Sequence, residues 1–145
     1  MSAILLIHGP NLNLLGARDK AVYGEKTLAD IESLIGSEAR KLGYDLKAFQ
    51  SNHEGAIIDY IQKESSNSVG IIINPGALTH YSYAIYDAIL DSKLPSVEVH
   101  LSDVDSRESW RKISVTAPAS VAKISGKGEA GYIESLQLLH KTLSK

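Results

Sequence analysis

The sequence contains no cysteine, and this absence removes several kinds of chemistry at once. Disulfide bonds, thiolate nucleophiles and cysteine-ligated zinc sites are excluded, and a reducing compartment is the expected setting. Neither sign of charge is in large excess, because the chain has 15 Lys and Arg residues and 17 Asp and Glu residues. The formal net charge is −2. This balance gives no sign of a partner that is a nucleic acid or an anionic membrane.

Long hydrophobic runs are missing as well. The apolar run at residues 3–7 stops at His8, which is too early for a signal peptide core or a membrane helix. We therefore expect a cytoplasmic protein without a membrane segment. A chain of 145 residues fits one domain, residues 1–145, that buries roughly 70% of its unfolded surface.

Phenylalanine and tryptophan are scarce, with one residue of each, whereas there are seven tyrosines. Tyrosine fills a core poorly unless its hydroxyl group finds a hydrogen-bond partner. We therefore expect some of these tyrosines to serve a functional site.

Short apolar runs alternate with segments of helical spacing. The runs are typical of strands buried on both faces of a parallel sheet, and they lie at residues 3–7, 46–49, 69–73, 96–99 and 121–124. Helices are predicted at residues 28–42, 54–64, 82–91 and 131–143, with a helical turn or two at 105–112. The alternation predicts an α/β fold, a flavodoxin-like doubly wound sheet of five parallel strands in the order 2-1-3-4-5.

Polar residues follow the predicted strands at the sheet edge where such folds bind ligands. Histidines stand there at positions 8, 53, 80 and 100, at the ends of four different strands. Each one alone is more often structural, but four together predict a site that handles protons near neutral pH.

Several common motifs are absent or incomplete. Residues 126–131 match the dinucleotide-binding pattern G-x-G-x-x-G, but only 14 residues follow, too few for the acidic residue and second strand of such a site. A tight strand-to-helix turn is predicted instead. No P-loop, nucleophile elbow or metal-ligand spacing occurs, so we expect neither a cofactor nor a metal. His140 is expected on the solvated face of the last helix.

The segment at residues 11–26 has no clear periodicity, and loops of this length are often lids or binding loops. It carries Arg18 and Tyr23, with Gly16 and Gly24 as possible hinges. A solvated surface loop is an equally good interpretation of these residues alone.

Taken together, these motifs resemble the signature of the type II 3-dehydroquinate dehydratases. The matching blocks are residues 9–16 with Arg18, Tyr23 and Gly24; residues 50–55; residues 73–77 with Thr79 and His80; residues 98–102 with Arg107, Glu108 and Arg111; and Gly126, Gly128, Gly131 and Tyr132. The blocks span nearly the whole chain in the order of that family.

The resemblance implies anti elimination of water from 3-dehydroquinate to give 3-dehydroshikimate through an enolate, without a cofactor or metal. It implies a homododecamer, built as a tetramer of trimers. The catalytic residues that it implies are Tyr23 as a tyrosinate base, Arg18 as its partner, Asn11 holding a water against the enolate oxygen, and His100 as the acid for the leaving hydroxyl. The implied substrate-binding residues are Asn74, His80, Arg111, the backbone around Leu101 and Ser102, and Asp87 from a neighbouring subunit.

The sequence departs from the family pattern at His8, Asp19, Ala56 and Asp103, none of which has an implied chemical role. Two other functions stay open on the residues alone. One is a dehydratase or aldolase that forms a Schiff base through a lysine, and the other is a non-enzymatic flavodoxin-like module that binds a phosphorylated or flavin ligand.

Overall fold

The computed structural model describes residues 1–145 and has a five-stranded sheet at its centre. The strands are β1 (Ser2–His8), β2 (Tyr44–Gln50), β3 (Ser68–Asn74), β4 (Ser96–His100) and β5 (Ala122–Ser125). The helices are α1 (Lys20–Tyr23), α2 (Leu28–Lys41), α3 (Glu54–Glu64), α4 (Tyr83–Ser92) and α5 (Ala130–Leu143). All neighbouring strands are parallel and their order is β2-β1-β3-β4-β5, which confirms the predicted flavodoxin-like α/β fold.

The apolar core lies in two layers, one on each face of the sheet. Alternate residues of a strand point to opposite faces, so the apolar run of β1 supplies both layers. Ile4 and Leu6 pack with α2 and α5, whereas Leu5 and Ile7 pack with α3 and α4. All four side chains are fully buried, which explains why the run is continuous rather than alternating.

A capping box fixes the start of α2, as the sequence pattern predicts. The Thr27 hydroxyl accepts a hydrogen bond from the Asp30 amide at 3.1 Å, and the Asp30 carboxylate accepts one from the Thr27 amide at 3.0 Å. On this helix Ile31 and Ile35 are buried against the sheet, whereas Leu34 is exposed.

The helical turn or two predicted at residues 105–112 is present as two 3-10 turns. They are Val104–Ser106 and Ser109–Lys112. The Asp103 side chain accepts from the Asp105 amide at 3.2 Å and begins the first turn, and the extended backbone of Arg107 ends it. The predicted loop at residues 11–26 likewise contains a 3-10 turn and the short helix α1.

His140 is not solvated as predicted. Its Nδ1 atom lies 2.8 Å from the Tyr44 hydroxyl, which joins α5 to β2. Tyr60 stacks on Phe49 with ring centroids 4.3 Å apart, so Tyr44 and Tyr60 both serve packing between elements. None of the helices has the length and hydrophobicity that crossing a lipid bilayer requires.

The loops after β1 and β3 touch through their backbones, and this contact builds the floor of the candidate site. A Cβ atom at Gly9 would lie 2.2 Å from the carbonyl oxygen of Pro75, so only glycine fits there. Gly76, with φ of +60°, approaches Pro10 from the other side. The two loops are therefore held together at the carboxyl edge of the sheet.

Candidate active site

An open cleft lies beyond the carboxyl ends of β1, β3 and β4. This is where ligands bind in doubly wound sheets. Nine of the ten site residues that the sequence predicts line it: Asn11, Arg18, Tyr23, Asn74, His80, His100, Leu101, Ser102 and Arg111. The tenth, Asp87, is exposed on α4 and does not line the cleft.

Arg18 and Tyr23 meet within the segment at residues 11–26, for which the sequence leaves a lid and a solvated surface loop equally open. One guanidinium nitrogen of Arg18, Nη2, donates to the Tyr23 hydroxyl oxygen at 2.7 Å, and the guanidinium carbon lies 3.6 Å from the ring centroid. Helix α1 brings the two residues together, and Gly24, with φ of +80°, ends it directly after Tyr23. A guanidinium in this position stabilises negative charge on a phenol oxygen.

A second guanidinium, that of Arg107, also lies over the Tyr23 ring, 5.1 Å from its centroid. Arg107 lines the cleft and donates to the Ser102 hydroxyl at 3.2 Å. Arg107 belongs to a matching family block but not to the site residues that the sequence predicts. Only its place in the polar segment that follows β4 indicates that it could belong to the site.

His100 is oriented by Glu98, a residue that the sequence-based site does not include. The Nε2 atom of His100 lies 3.0 Å from a carboxylate oxygen of Glu98, two positions earlier on the same face of β4. Because the carboxylate accepts this hydrogen bond, Nε2 carries the proton and Nδ1 is left for other partners. A carboxylate inside an otherwise apolar strand was the signal that could have found Glu98.

The Glu98 carboxylate is fully buried and surrounded by hydroxyl donors. Thr79 and Ser114 donate to it at 3.0 and 2.8 Å, and Thr116 donates to its other oxygen. Burial acts to raise the pKa of Glu98, but the hydrogen bond and charge of His100 and the hydroxyl donors outweigh it and hold this pKa below its ordinary value. Glu98 is therefore a carboxylate at neutral pH.

Asn74 is fixed at the floor of the cleft. Its side-chain nitrogen, Nδ2, donates to the Tyr132 hydroxyl at 3.2 Å. Its side-chain oxygen, Oδ1, accepts from the Gly76 backbone amide at 3.0 Å. Tyr132 is fully buried, and burial raises its pKa to about 12 against the opposing hydrogen bond from Asn74. The phenol is therefore neutral and keeps its place as a fixed partner of Asn74.

His80 and the segment after β4 supply donors on the other side of the cleft. Nδ1 of His80 donates to the carbonyl oxygen of Ile113 at 2.6 Å, which leaves its Nε2 without a protein partner. The backbone amides of Leu101 and Ser102 donate to no protein acceptor. Their carbonyl oxygens accept from the turn at residues 126–128, which is the tight turn that the sequence predicts.

Arg111 is held at the rim of the cleft by its own turn. Its Nε donates to Glu108 at 2.7 Å, and its guanidinium carbon lies 4.0 Å from the Trp110 ring centroid. The hydrogen bond from Arg111 lowers the pKa of Glu108. With Arg18 and Arg107, three guanidinium groups line one small cleft, which suits a substrate that carries a carboxylate.

The expectation of four histidines in one crevice is wrong, because only His80 and His100 line the cleft. His8 is fully buried on the α2 side of the sheet, with its Nε2 3.3 Å from the Glu32 carboxylate and no hydrogen bond at either ring nitrogen. His53 is the residue directly before α3.

No lysine lines the cleft, so the site offers no amine for a Schiff base. The chain also has no group of three or more histidine and carboxylate side chains that could hold a metal ion. The chemistry available in the cleft is therefore proton transfer and stabilisation of negative charge by arginine, amide and imidazole groups.

Comparison with known proteins points to one family. The family model described as "Dehydroquinase class II" matches residues 2–140. A protein of Clostridium beijerinckii named 3-dehydroquinate dehydratase is 53% identical over 144 residues, which cover 98% of this chain and 99% of that protein. A Clostridium acetobutylicum protein of the same name is 49% identical over 142 residues, with 98% and 99% covered.

Solved structures give the same result for the fold. The type II dehydroquinase of Butyrivibrio crossotus superposes with a TM-score of 0.92 at 46% identity, covering 95% of this chain and 97% of the other. The type II dehydroquinase of Propionibacterium acnes also has a TM-score of 0.92, at 33% identity and 97% coverage of both chains.

Proposed function

This chain belongs to the class II dehydroquinase family and is an enzyme that dehydrates 3-dehydroquinate, and we propose that it eliminates the water in anti fashion through an enolate. The product is 3-dehydroshikimate. The observation that carries the proposed mechanism is the pairing of Arg18 with Tyr23 in the cleft that His100 also lines.

Tyr23 is the proposed base. An ordinary tyrosine hydroxyl has a pKa near 10, so forming a phenolate at pH 7 costs about 4 kcal/mol. The Arg18 guanidinium lies 2.7 Å from the hydroxyl oxygen, and we propose that it stabilises the phenolate when the proton is transferred. The phenolate takes a proton from C2 of the substrate, and the electron pair of that C–H bond forms the enolate with the neighbouring ketone.

His100 is the proposed acid. As the enolate collapses, the bond from C1 to its hydroxyl group breaks, and a proton from His100 converts the departing hydroxide to water. The Glu98 carboxylate at Nε2 fixes the ring and stabilises positive charge on it, so that Nδ1 can donate.

Negative charge on the enolate oxygen needs a nearby donor, and Asn11 is proposed to hold a water for that purpose. The substrate carboxylate and hydroxyl groups are proposed to bind Asn74, His80, Arg111 and the backbone amides of Leu101 and Ser102. The unpaired amides of Leu101 and Ser102 and the fixed amide of Asn74 support this assignment.

The test of this function is an assay with the purified chain, 3-dehydroquinate and a chelator, without nucleotide. A conjugated enone carboxylate should appear, lighter than the substrate by one water. Borohydride added with substrate should leave the enzyme active, whereas inactivation would support the Schiff base alternative. No product at any pH tried would refute the assignment.

We also propose the homododecamer, a tetramer of trimers, that the family resemblance implies, in the cytoplasm. Large aromatic and aliphatic side chains stand exposed near Asp87 and the cleft rim, namely Tyr81, Tyr83, Trp110 and Ile113. Patches of this kind are typical of subunit contacts. Light scattering should give about twelve times the 15.7 kDa of one chain, and a monomer would refute the assembly and the role of Asp87 across subunits.

A further inference from the structure

The loop that carries Asn11 is held on its β2 side by two amide side chains, those of Gln50 and Asn52. The Oδ1 atom of Asn52 accepts a hydrogen bond from the backbone amide of Asn11 at 2.9 Å. The Nε2 atom of Gln50 donates to that same Oδ1 at 3.2 Å and to the carbonyl oxygen of Gly9 at 3.2 Å. Asn52 thus holds the backbone of Asn11. Gln50 holds both the Asn52 side chain and the backbone of Gly9 at the start of the loop.

Asn11 has an uncommon backbone conformation that makes such support necessary. Its φ of +70° lies in the left-handed region, where a residue other than glycine pays roughly 1 kcal/mol or more. Asparagine tolerates this region better than most residues, but the conformation persists only where its surroundings impose it. The Asn52 carbonyl group meets the one backbone donor that Asn11 has.

The opposite side of the loop is fixed by the main chain. The Gly9 backbone amide donates to the backbone carbonyl oxygen of Asn74 at 2.7 Å, and Gly76 leaves room for Pro10. The β3 side therefore fixes residues 9 and 10, whereas the backbone amide of Asn11 is held from the β2 side.

We propose that Asn52, seated by Gln50, is a positioning residue that sets the place of the Asn11 side chain at the developing enolate oxygen. This proposal rests on the proposed function. Neither Gln50 nor Asn52 lines the cleft, so they act through Asn11 and not on the substrate. A displacement of about 1 Å in a catalytic group can cost up to about a hundredfold in rate, and the loss falls on kcat when the interaction is made only in the transition state.

The test compares Asn52→Leu, which removes the acceptor at similar size, with Asn52→Asp, which keeps an oxygen in its place. Asn52→Leu should lower kcat about tenfold and leave KM within about twofold, whereas Asn52→Asp should keep kcat within about threefold of the unchanged enzyme. Asn67→Leu is the matched control, because Asn67 is exposed, lies outside the cleft and is not in contact with Gln50 or Asn52. Its kcat should not change.

A double-mutant cycle separates positioning from a general structural role. In an Asn11→Ala background, Asn52→Leu should cost less than about twofold in kcat, because the group that it positions is gone. The same tenfold loss in both backgrounds, or full kcat in Asn52→Leu alone, would overturn the positioning role while the dehydration itself stands. Failure of the proposed function would look different, because the unchanged enzyme would then give no product.

Discussion

The Arg18 guanidinium both donates to the Tyr23 hydroxyl oxygen at 2.7 Å and covers the Tyr23 ring, with its carbon 3.6 Å from the centroid. The first contact stabilises negative charge on the oxygen, and the second fixes the orientation of the ring. Both contacts use the flat shape of the guanidinium. The proposed base and its electrostatic partner are thus one unit within the segment at residues 11–26.

Arg18→Lys keeps the charge but loses this shape, since an ammonium group cannot stack flat on the ring while it donates to the hydroxyl. We expect kcat to fall by about 10-fold to 100-fold with little change in KM, measured by steady-state kinetics. Lys20→Arg, an exchange at an exposed position of the same segment, should leave kcat unchanged. An Arg18→Lys enzyme with at least half the normal kcat would show that only the charge matters.

Arg107→Met tests the second guanidinium over Tyr23. Methionine keeps the apolar stem but removes the hydrogen bond to Ser102 and the charge in the cleft. Loss of this charge weakens the electrostatic stabilisation of negative charge in the cleft, so kcat/KM should fall by about 10-fold to 100-fold. Lys112→Met removes an equal charge from an exposed site outside the cleft and serves as the control. Equal losses in both variants would reduce the role of Arg107 to net charge.

Glu98→Gln keeps the size of the side chain but replaces a carboxylate that accepts from His100 and three hydroxyl groups. The imidazole then loses its charged partner and its fixed proton arrangement, so we expect kcat to fall by about a hundredfold. Glu64→Gln is the matched control, because Glu64 pairs with Lys47 at 3.1 Å outside the cleft. Normal kcat in Glu98→Gln would remove Glu98 from the mechanism.

The raised pKa of Tyr132 predicts a specific loss of folding stability at alkaline pH. Its pKa is about 12 in the folded chain and near 10 when unfolded, so only the unfolded state releases this proton between those values. The folding stability that this difference in pKa contributes is fully present below pH 10 and is lost as pH rises toward 12. Denaturant unfolding at pH 9 and pH 11 should show the wild type losing about 1 kcal/mol more than Tyr132→Phe. Parallel losses would contradict the burial of a neutral phenol.

The fold was predictable because its information is local and periodic. The apolar run at 3–7 and the capping box at Thr27 and Asp30 each specify an element within a few residues. The position of His8 could have been predicted too, since a period of two places it on the same face as Ile4 and Leu6. The expectation that His8 lies in the cleft does not take this alternation into account.

The parts of the site that were missed depend on contacts distant in sequence. Glu98 is stabilised by Thr79, Ser114 and Thr116, which lie 16 to 19 positions away and reach it only through the folded path of the chain. Arg107 lies between the 3-10 turns at Val104–Ser106 and Ser109–Lys112, and only the folded path of this segment brings it over the Tyr23 ring. Neither contact leaves a local pattern in the sequence.

The central claim is that the Tyr23 oxygen takes the C2 proton, and one variant tests it most directly. Tyr23→Phe removes that oxygen and nothing else, so the rate of enone formation at saturating 3-dehydroquinate should fall by about a thousandfold or more, with substrate still bound. Tyr44→Phe, which removes a hydroxyl group outside the cleft, serves as the control and should keep the normal rate. A Tyr23→Phe enzyme within tenfold of the normal rate would contradict the account.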